Sequence, residues 1–151
     1  MQSITPFLWF DGVAEEAAHF YLSVFPDGEI LDIMPGPSGT ALGVTFRLLG
    51  QRFTALNGGP QFSFTPAVSF FVSCDTQEEI DRLWSSLGAG GAEQRCGWLT
   101  DRYGLSWQIV PAALGLMLRD TDRPRAGRVF QAMLGMVKLD IAALESAAAQ
   151  P

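Results

Sequence analysis

The sequence is poor in the residues that usually announce a chemistry. In 151 residues it has two cysteines, Cys74 and Cys96, and one histidine, His19. Two thiols cannot build a disulfide framework, and one imidazole on a helix without nearby carboxylates is not a metal site. Basic residues are scarce as well: ten Lys and Arg stand against 16 Asp and Glu, a net charge of −6. A phosphate backbone or an anionic membrane wants a cationic face, so neither nucleic acid nor a membrane is an expected partner. Arg119, Arg123, Arg125 and Arg128 do cluster, but beside Asp120 and Asp122, which reads as local pairing or neutralisation of a helix end. No apolar run is long enough to cross a bilayer, and Met1-Gln2-Ser3 does not open a basic segment leading into an apolar stretch. The expected location is cytoplasmic.

What the chain does have is core-forming material, with 48% hydrophobic and 17% charged residues. That balance is globular and fits one domain, 1–151. The pattern predicts a strand over 4–10 and a helix over 13–25 with Asp11 as its cap. Strands over 29–34, 41–49 and 52–57 follow, with a tight turn at Gly50-Gln51. Residues 58–66, rich in Gly, Pro and Phe, read as a connector. The order then begins again. A strand over 67–74 leads to a helix capped by Asp75 or Thr76, with Glu78 or Glu79 completing a capping box and Ile80, Leu83, Trp84 and Leu87 as its apolar stripe. Strands over 92–95, 98–102 and 105–110 complete the second copy.

Phe7-Leu8-Trp9-Phe10 before Glu15-Glu16 echoes Phe70-Phe71-Val72-Ser73 before Glu78-Glu79 at a constant offset of 63. Both halves read β-α-β-β-β, a duplication. The first module spans 1–57 and the second 67–111. Helices over 112–118, 125–136 and 139–149 form a C-terminal tail over 112–151, with Asp122 to Pro124 as a break. Apolar tail residues such as Met133, Leu134, Met136 and Val137 point to a homodimer.

The most informative stretch is Cys96 to Pro111, a hairpin turning through Asp101 to Gly104, with Pro111 ending the pairing. Leu105, Trp107 and Ile109 share one face and belong against a helix. Ser106, Gln108 and Val110 share the other, and a glutamine there suggests a lined cavity whose amide needs a partner such as Ser69 or Asn57. Trp9, Phe53, Phe62, Phe64, Phe71 and Trp98 could line a site for a flat apolar ligand, although aromatic stripes are more often core. Cys96 is either a thiol nucleophile working with Asp101 or a small filler at a tight turn. A catalytic thiol needs a nearby cation or base, and only Arg95 and Arg102 are at hand. Cys74 sits beside a helix N-terminus, which lowers a thiol pKa, but its strand-end position favours burial.

Tandem β-α-β-β-β units resemble the vicinal oxygen chelate superfamily of glyoxalase I, extradiol dioxygenases, and fosfomycin and bleomycin resistance proteins. Within it the chain is similar to the PhnB-like branch, often labelled demethylubiquinone methyltransferase-like. The matching runs are Thr5 to Phe10, Ala14 to Ala17 with Phe20-Tyr21, Phe53 to Pro60, Ser69 to Glu79, Cys96 to Asp101 and Gly104 to Pro111. The tail runs Ala132 to Leu134 and Lys138 to Leu144 match as well. The resemblance implies an α+β fold of cupped mixed sheets, a cavity, paired chains and, in metal-dependent relatives, His and Glu ligands on the first and fourth strands of each half. Carried over, those positions are Thr5 or Pro6, a residue between Thr54 and Asn57, Ser69, and Gln108. None is His, Asp or Glu, so no metal and no other cofactor is expected. The methyltransferase label finds no glycine-rich turn between a parallel strand and a helix, which a Rossmann-like S-adenosylmethionine site requires.

The expected function is therefore binding of a small molecule, aromatic or amphiphilic, without a catalytic metal. Trp9, Asn57, Ser69, Phe71, Trp98 and Gln108 would be its contacts. One alternative is an enzyme acting on a quinone-like or enolisable substrate through Cys96 or Asp101. The other is a structural dimeric module whose cavity is plugged by its own phenylalanines.

Overall fold

Two helices, each laid on one face of a four-stranded sheet, account for most of the buried apolar surface. The structure, a computed structural model, describes all 151 residues. They divide into two compact units, Met1–Phe64 and Thr65–Pro151.

In the first unit the strands are β1 (Phe7–Phe10), β2 (Glu29–Pro35), β3 (Ala41–Leu48) and β4 (Gln51–Asn57), with α1 (Ala14–Val24) between β1 and β2. The sheet order is β1-β4-β3-β2, parallel between β1 and β4 and antiparallel elsewhere. Ala14, Ala17 and Ala18 are fully buried, and their small side chains let α1 lie close against Leu8, Phe10, Val44, Phe46 and Ala55. Tyr21, Phe46 and Phe53 stack in sequence, with centroids 6.2 and 5.5 Å apart.

The cap of α1 is not Asp11. Val13 occupies the N-cap position and offers no side-chain acceptor. Asn57, in register with Phe10 at the end of β4, reaches over instead. Its Oδ1 accepts from the Ala14 N–H at 2.9 Å, and its Nδ2 donates to the Ala41 carbonyl at 2.8 Å. The β3–β4 turn is also one residue earlier than expected. Leu48 pairs with Gln51, leaving Leu49 (φ 48°) and Gly50 (φ 80°) as the two left-handed residues of a primed hairpin turn.

The second unit repeats the plan. Its strands are β5 (Ser69–Cys74), β6 (Ala92–Glu93), β7 (Trp98–Thr100) and β8 (Ser106–Pro111), with α2 (Gln77–Gly88) after β5 and sheet order β5-β8-β7-β6. The tandem β-α-β-β-β reading and the α+β class are therefore correct. The capping box is present, with Thr76 and Glu79 as its two members. Thr76 accepts from Glu79 N–H at 3.2 Å, and the Glu79 carboxylate accepts from Asp75 N–H at 2.9 Å, one residue before the usual donor. Ile80, Leu83, Trp84 and Leu87 are the buried stripe.

The constant offset of 63 needs correcting. It relates the helix starts, Ala14 and Gln77, but not the strands. Side chains alternate across a pleat, and the core-facing pair Leu8 and Phe10 corresponds to Val72 and Cys74, one residue further on. Pro111 does end the pairing, as its last member, in register with Cys74.

The tail forms α3 (Ala112–Leu118), α4 (Arg123–Leu134) and α5 (Ile141–Ala149) around Val110, Leu114, Val129, Leu139 and Leu144. The break between α3 and α4 falls at 119–122, earlier than expected, and Asp122 to Pro124 instead open α4. Asp122 accepts from Arg125 N–H at 3.1 Å, and Pro124 sits in the first turn, where no N–H is needed. Met133 and Met136 pack inward, leaving Leu134 and Val137 exposed. No helix is long and apolar enough to cross a membrane.

Removing the remote cap should cost more than removing the apparent one. We expect Asn57→Ala to lose about 2 kcal/mol, one cap plus one part-buried hydrogen bond. Asp11→Ala should stay within about 0.5 kcal/mol. Urea titration of both variants decides between them.

Candidate functional site

Strand register decides which side chains meet. In the second unit Phe71 and Trp98 both pair with Gln108, and Ser69 and Thr100 both pair with Ser106. Partners in register share a face. The opposite face carries Phe70, Val72, Cys74, Leu99, Trp107 and Ile109, whose parity puts them against α2. Ser69, Phe71, Trp98 and Gln108, four of the six expected contacts, are thus gathered on the helix-free face. Gln108 Nε2 donates to Ser69 Oγ at 2.9 Å, and Phe71 is 60% exposed. Ser106 joins this face with a fully buried hydroxyl that has no hydrogen-bond partner. Its parity with Gln108 was readable in the sequence, but nothing distinguished it from an ordinary small strand residue.

The other two contacts, in the first unit, separate from each other. Trp9 lies opposite the helix side. Its indole N–H donates to the Gly59 carbonyl at 2.8 Å, and Phe62 meets the ring edge-on at 4.9 Å. A Cβ at Gly58 would overlap that ring, so glycine there lets the chain pass over the tryptophan. Asn57 shares the helix side with Phe10, and both ends of its amide are already bonded. Thr54 occupies the helix-free side, with its hydroxyl 3.1 Å from that of Thr45. Of the aromatics offered as a lining, Phe53 is buried core, stacked on Phe46, and Phe64 packs on Phe10 at 5.3 Å.

Asp101 is buried, at 2% exposure, and organises the hairpin. Its Oδ1 accepts from Tyr103 N–H at 2.8 Å and Leu105 N–H at 3.1 Å, and its Oδ2 accepts from the Trp107 indole at 3.0 Å. Such a carboxylate holds a turn and a tryptophan in place. Cys96 is half-buried with a left-handed backbone (φ 61°). Its N–H donates to the Met136 carbonyl at 2.9 Å, and the Gly97 N–H donates to that of Val137 at 2.8 Å. Cys74 is buried, and desolvation pushes its thiol from 9.0 up to about 11, with Glu79 adding to the rise and Arg82 opposing it. Burial thus outweighs the helix N-terminus. His19 is exposed on α1.

Solved structures share this architecture. A glyoxylase/bleomycin resistance protein/dioxygenase domain from Frankia is 17% identical with a TM-score of 0.51, over 72% of this chain and 96% of that one. A fosfomycin resistance protein, FosX, from Listeria monocytogenes, complexed with Mn(II) and 1S,2S-dihydroxypropylphosphonic acid, is 14% identical with a TM-score of 0.55, over 72% and 91%. The fold is the glyoxalase/bleomycin-resistance fold of the vicinal oxygen chelate superfamily. Within that class, residues 2–110 match the family model described as 3-demethylubiquinone-9 3-methyltransferase. The PhnB protein of Bacillus cereus, described as a candidate 3-demethylubiquinone-9 3-methyltransferase, is 40% identical with a TM-score of 0.69, over 74% of this chain and 100% of that one. The chain belongs to this PhnB-like family. No protein of curated function matches it.

The superfamily's divalent metal does not fit the residues present. On the second sheet the positions carried over are Ser69 and Gln108, joined by one hydrogen bond. Alternation before Phe7 and along β4 selects Thr5 and Thr54 in the first unit, and no group of three or more His, Cys, Asp or Glu gathers anywhere. Neutral hydroxyls and an amide bring no charge to offset stripping a hard cation of water.

The two thiols should differ sharply in reactivity. At pH 8 a group titrating near 11 is thiolate in only about one molecule in a thousand. Ellman's reagent should therefore label Cys96 in the native chain and Cys74 only after unfolding. Rapid native labelling of both would contradict the burial of Cys74.

Proposed function

We propose that the chain binds a small, neutral, aromatic or amphiphilic molecule on the helix-free face of its second sheet, without a metal. The observation that carries this reading is the Gln108–Ser69 hydrogen bond beside an exposed Phe71. A glutamine that gives its amide N–H to Ser69 keeps its carbonyl oxygen as an acceptor for an incoming hydroxyl or amide. Phe71 and Trp98, both in register with it, offer flat apolar surface on either side. Methyl transfer finds less support. Each sheet has one parallel pair among four strands, not the doubly wound parallel sheet whose glycine-rich turn cradles a nucleotide-type cofactor. The reading also takes the protein to be a cytoplasmic homodimer, with exposed Phe7, Leu134 and Val137 available to cover.

Thermal melting with a panel of neutral aromatics, 1,4-naphthoquinone among them, is the direct test. A binder at a hundredfold over its Kd adds about 2.7 kcal/mol. For a chain of this length that raises Tm by about 5–10 °C. The shift should survive EDTA and fall away in Gln108→Leu. A shift seen only with added divalent metal would overturn the reading. Light scattering should give twice the 16.4 kDa chain mass.

A further inference from the structure

The family match ends at residue 110, and about a quarter of this chain has no counterpart in the Bacillus cereus relative. The segment from Met136 to Ile141, which joins α4 to α5, nevertheless runs against the strand end that carries Trp98. On one side it receives the Cys96 and Gly97 N–H groups on the Met136 and Val137 carbonyls. Leu139 is fully buried there, and a Cβ on Gly97 would come within 2.9 Å of its Cδ1. Gly97, at φ 82°, therefore has both a backbone and a packing reason to be glycine.

On its other side the segment is latched to α2 by one side chain. Gln77, the first residue of that helix, donates from Nε2 to the Leu139 carbonyl at 3.0 Å and accepts at Oε1 from the Ile141 N–H at 2.8 Å. The amide thus reads both flanks of Asp140 as a neighbouring strand would. Its Nε2 also donates to Asp81 at 3.0 Å, and Lys138 reaches the same carboxylate oxygen at 2.8 Å. Lys138, with Gln77 second, holds the Asp81 carboxyl below its ordinary range.

We infer that Gln77 is a positioning residue: by latching residues 139–141 to α2 it fixes the Cys96-Gly97 loop and so sets where Trp98 stands beside Gln108. The inference deepens the ligand-face reading and rests on it for its consequence in binding. The latch itself is independent of any ligand. If Gln77 lets go, the strap loosens and the Cys96 and Gly97 N–H groups lose their acceptors. Trp98, the next residue, keeps its pairing with Gln108 and the Gln94 N–H on its carbonyl but loses the support of the loop that leads into it.

The test uses Gln77→Ala and Gln77→Glu in the full chain. The glutamate variant keeps the length and the acceptor for Ile141 but sets a carboxylate against the Leu139 carbonyl and Asp81. Far-UV circular dichroism confirms that each variant is folded. The Cys96 labelling rate is then read with Ellman's reagent, with buried Cys74 as the silent internal control. Losing one or two hydrogen bonds should raise that rate about tenfold in both variants. The near-UV circular dichroism contributed by Trp98, measured as the difference from Trp98→Phe, should shrink in both. Naphthoquinone affinity should fall alongside.

Unchanged thiol rates and near-UV signal in both variants overturn the assignment, whether or not the naphthoquinone binds. If the wild-type chain fails to bind the quinone while the thiol and Trp98 readouts still shift, the ligand-face reading falls and the latch stands.

Discussion

A pleated strand shows alternate side chains to opposite faces, and a helix can cover only one of them. In each unit that face is taken by α1 or α2, whose buried alanines or Ile-Leu-Trp stripe admit polar atoms only where they are hydrogen-bonded. Everything of functional interest is decided by which side of that division a residue falls on. Asn57 falls on the helix side and becomes a cap. Ser69, Phe71, Trp98 and Gln108 fall on the other and form a surface that mixes an exposed aromatic ring with an amide and a hydroxyl. One residue of slippage in β4 or β8 would have exchanged these roles.

The second sheet keeps neutral side chains on its helix-free face, where Ser69 and Gln108 lie in adjacent strands. One hydrogen bond of 2.9 Å ties Gln108 to Ser69 with no charge on either side chain. Nearby, Asp101 shows what a carboxylate does when kept in this fold: three donors surround it, and the strands of the hairpin are held in place through it. Polar side chains in this unit mostly serve backbone groups, which leaves recognition to aromatic surface and a single amide oxygen.

Local patterns carried most of the architecture. The apolar stripe of α2, its capping box, the doubled β-α-β-β-β order and the bounds of α3 were all visible from spacing and turn residues, because each depends on neighbours a few positions away. What stayed hidden depends on distant partners. Asn57 caps a helix that begins 43 residues earlier, and Gln77 holds a segment more than 60 residues on. Nothing in the flanking residues tells which amide will be tied to so remote a partner. The face assignment of Ser69, Trp98 and Gln108 was half legible. Alternation along β8 was clear, but which residues on β5 and β7 stood beside it needed the register. The turn at Leu49-Gly50 was missed because leucine rarely accepts a left-handed backbone, and only the pairing of Leu48 with Gln51 requires it.

The mismatch between the two copies, in which the helix starts repeat at one interval and the core-facing pair of the first strand at an interval one longer, has a consequence for protein engineering. A symmetric variant that grafts β5 onto the β1 position at the 63-residue offset would set Phe71 and Ser73 where Leu8 and Phe10 face the helix, and would turn Val72 away from it. A workable symmetric version needs its splice between strand and helix, with one residue gained or lost at the Asp11-Gly12 joint.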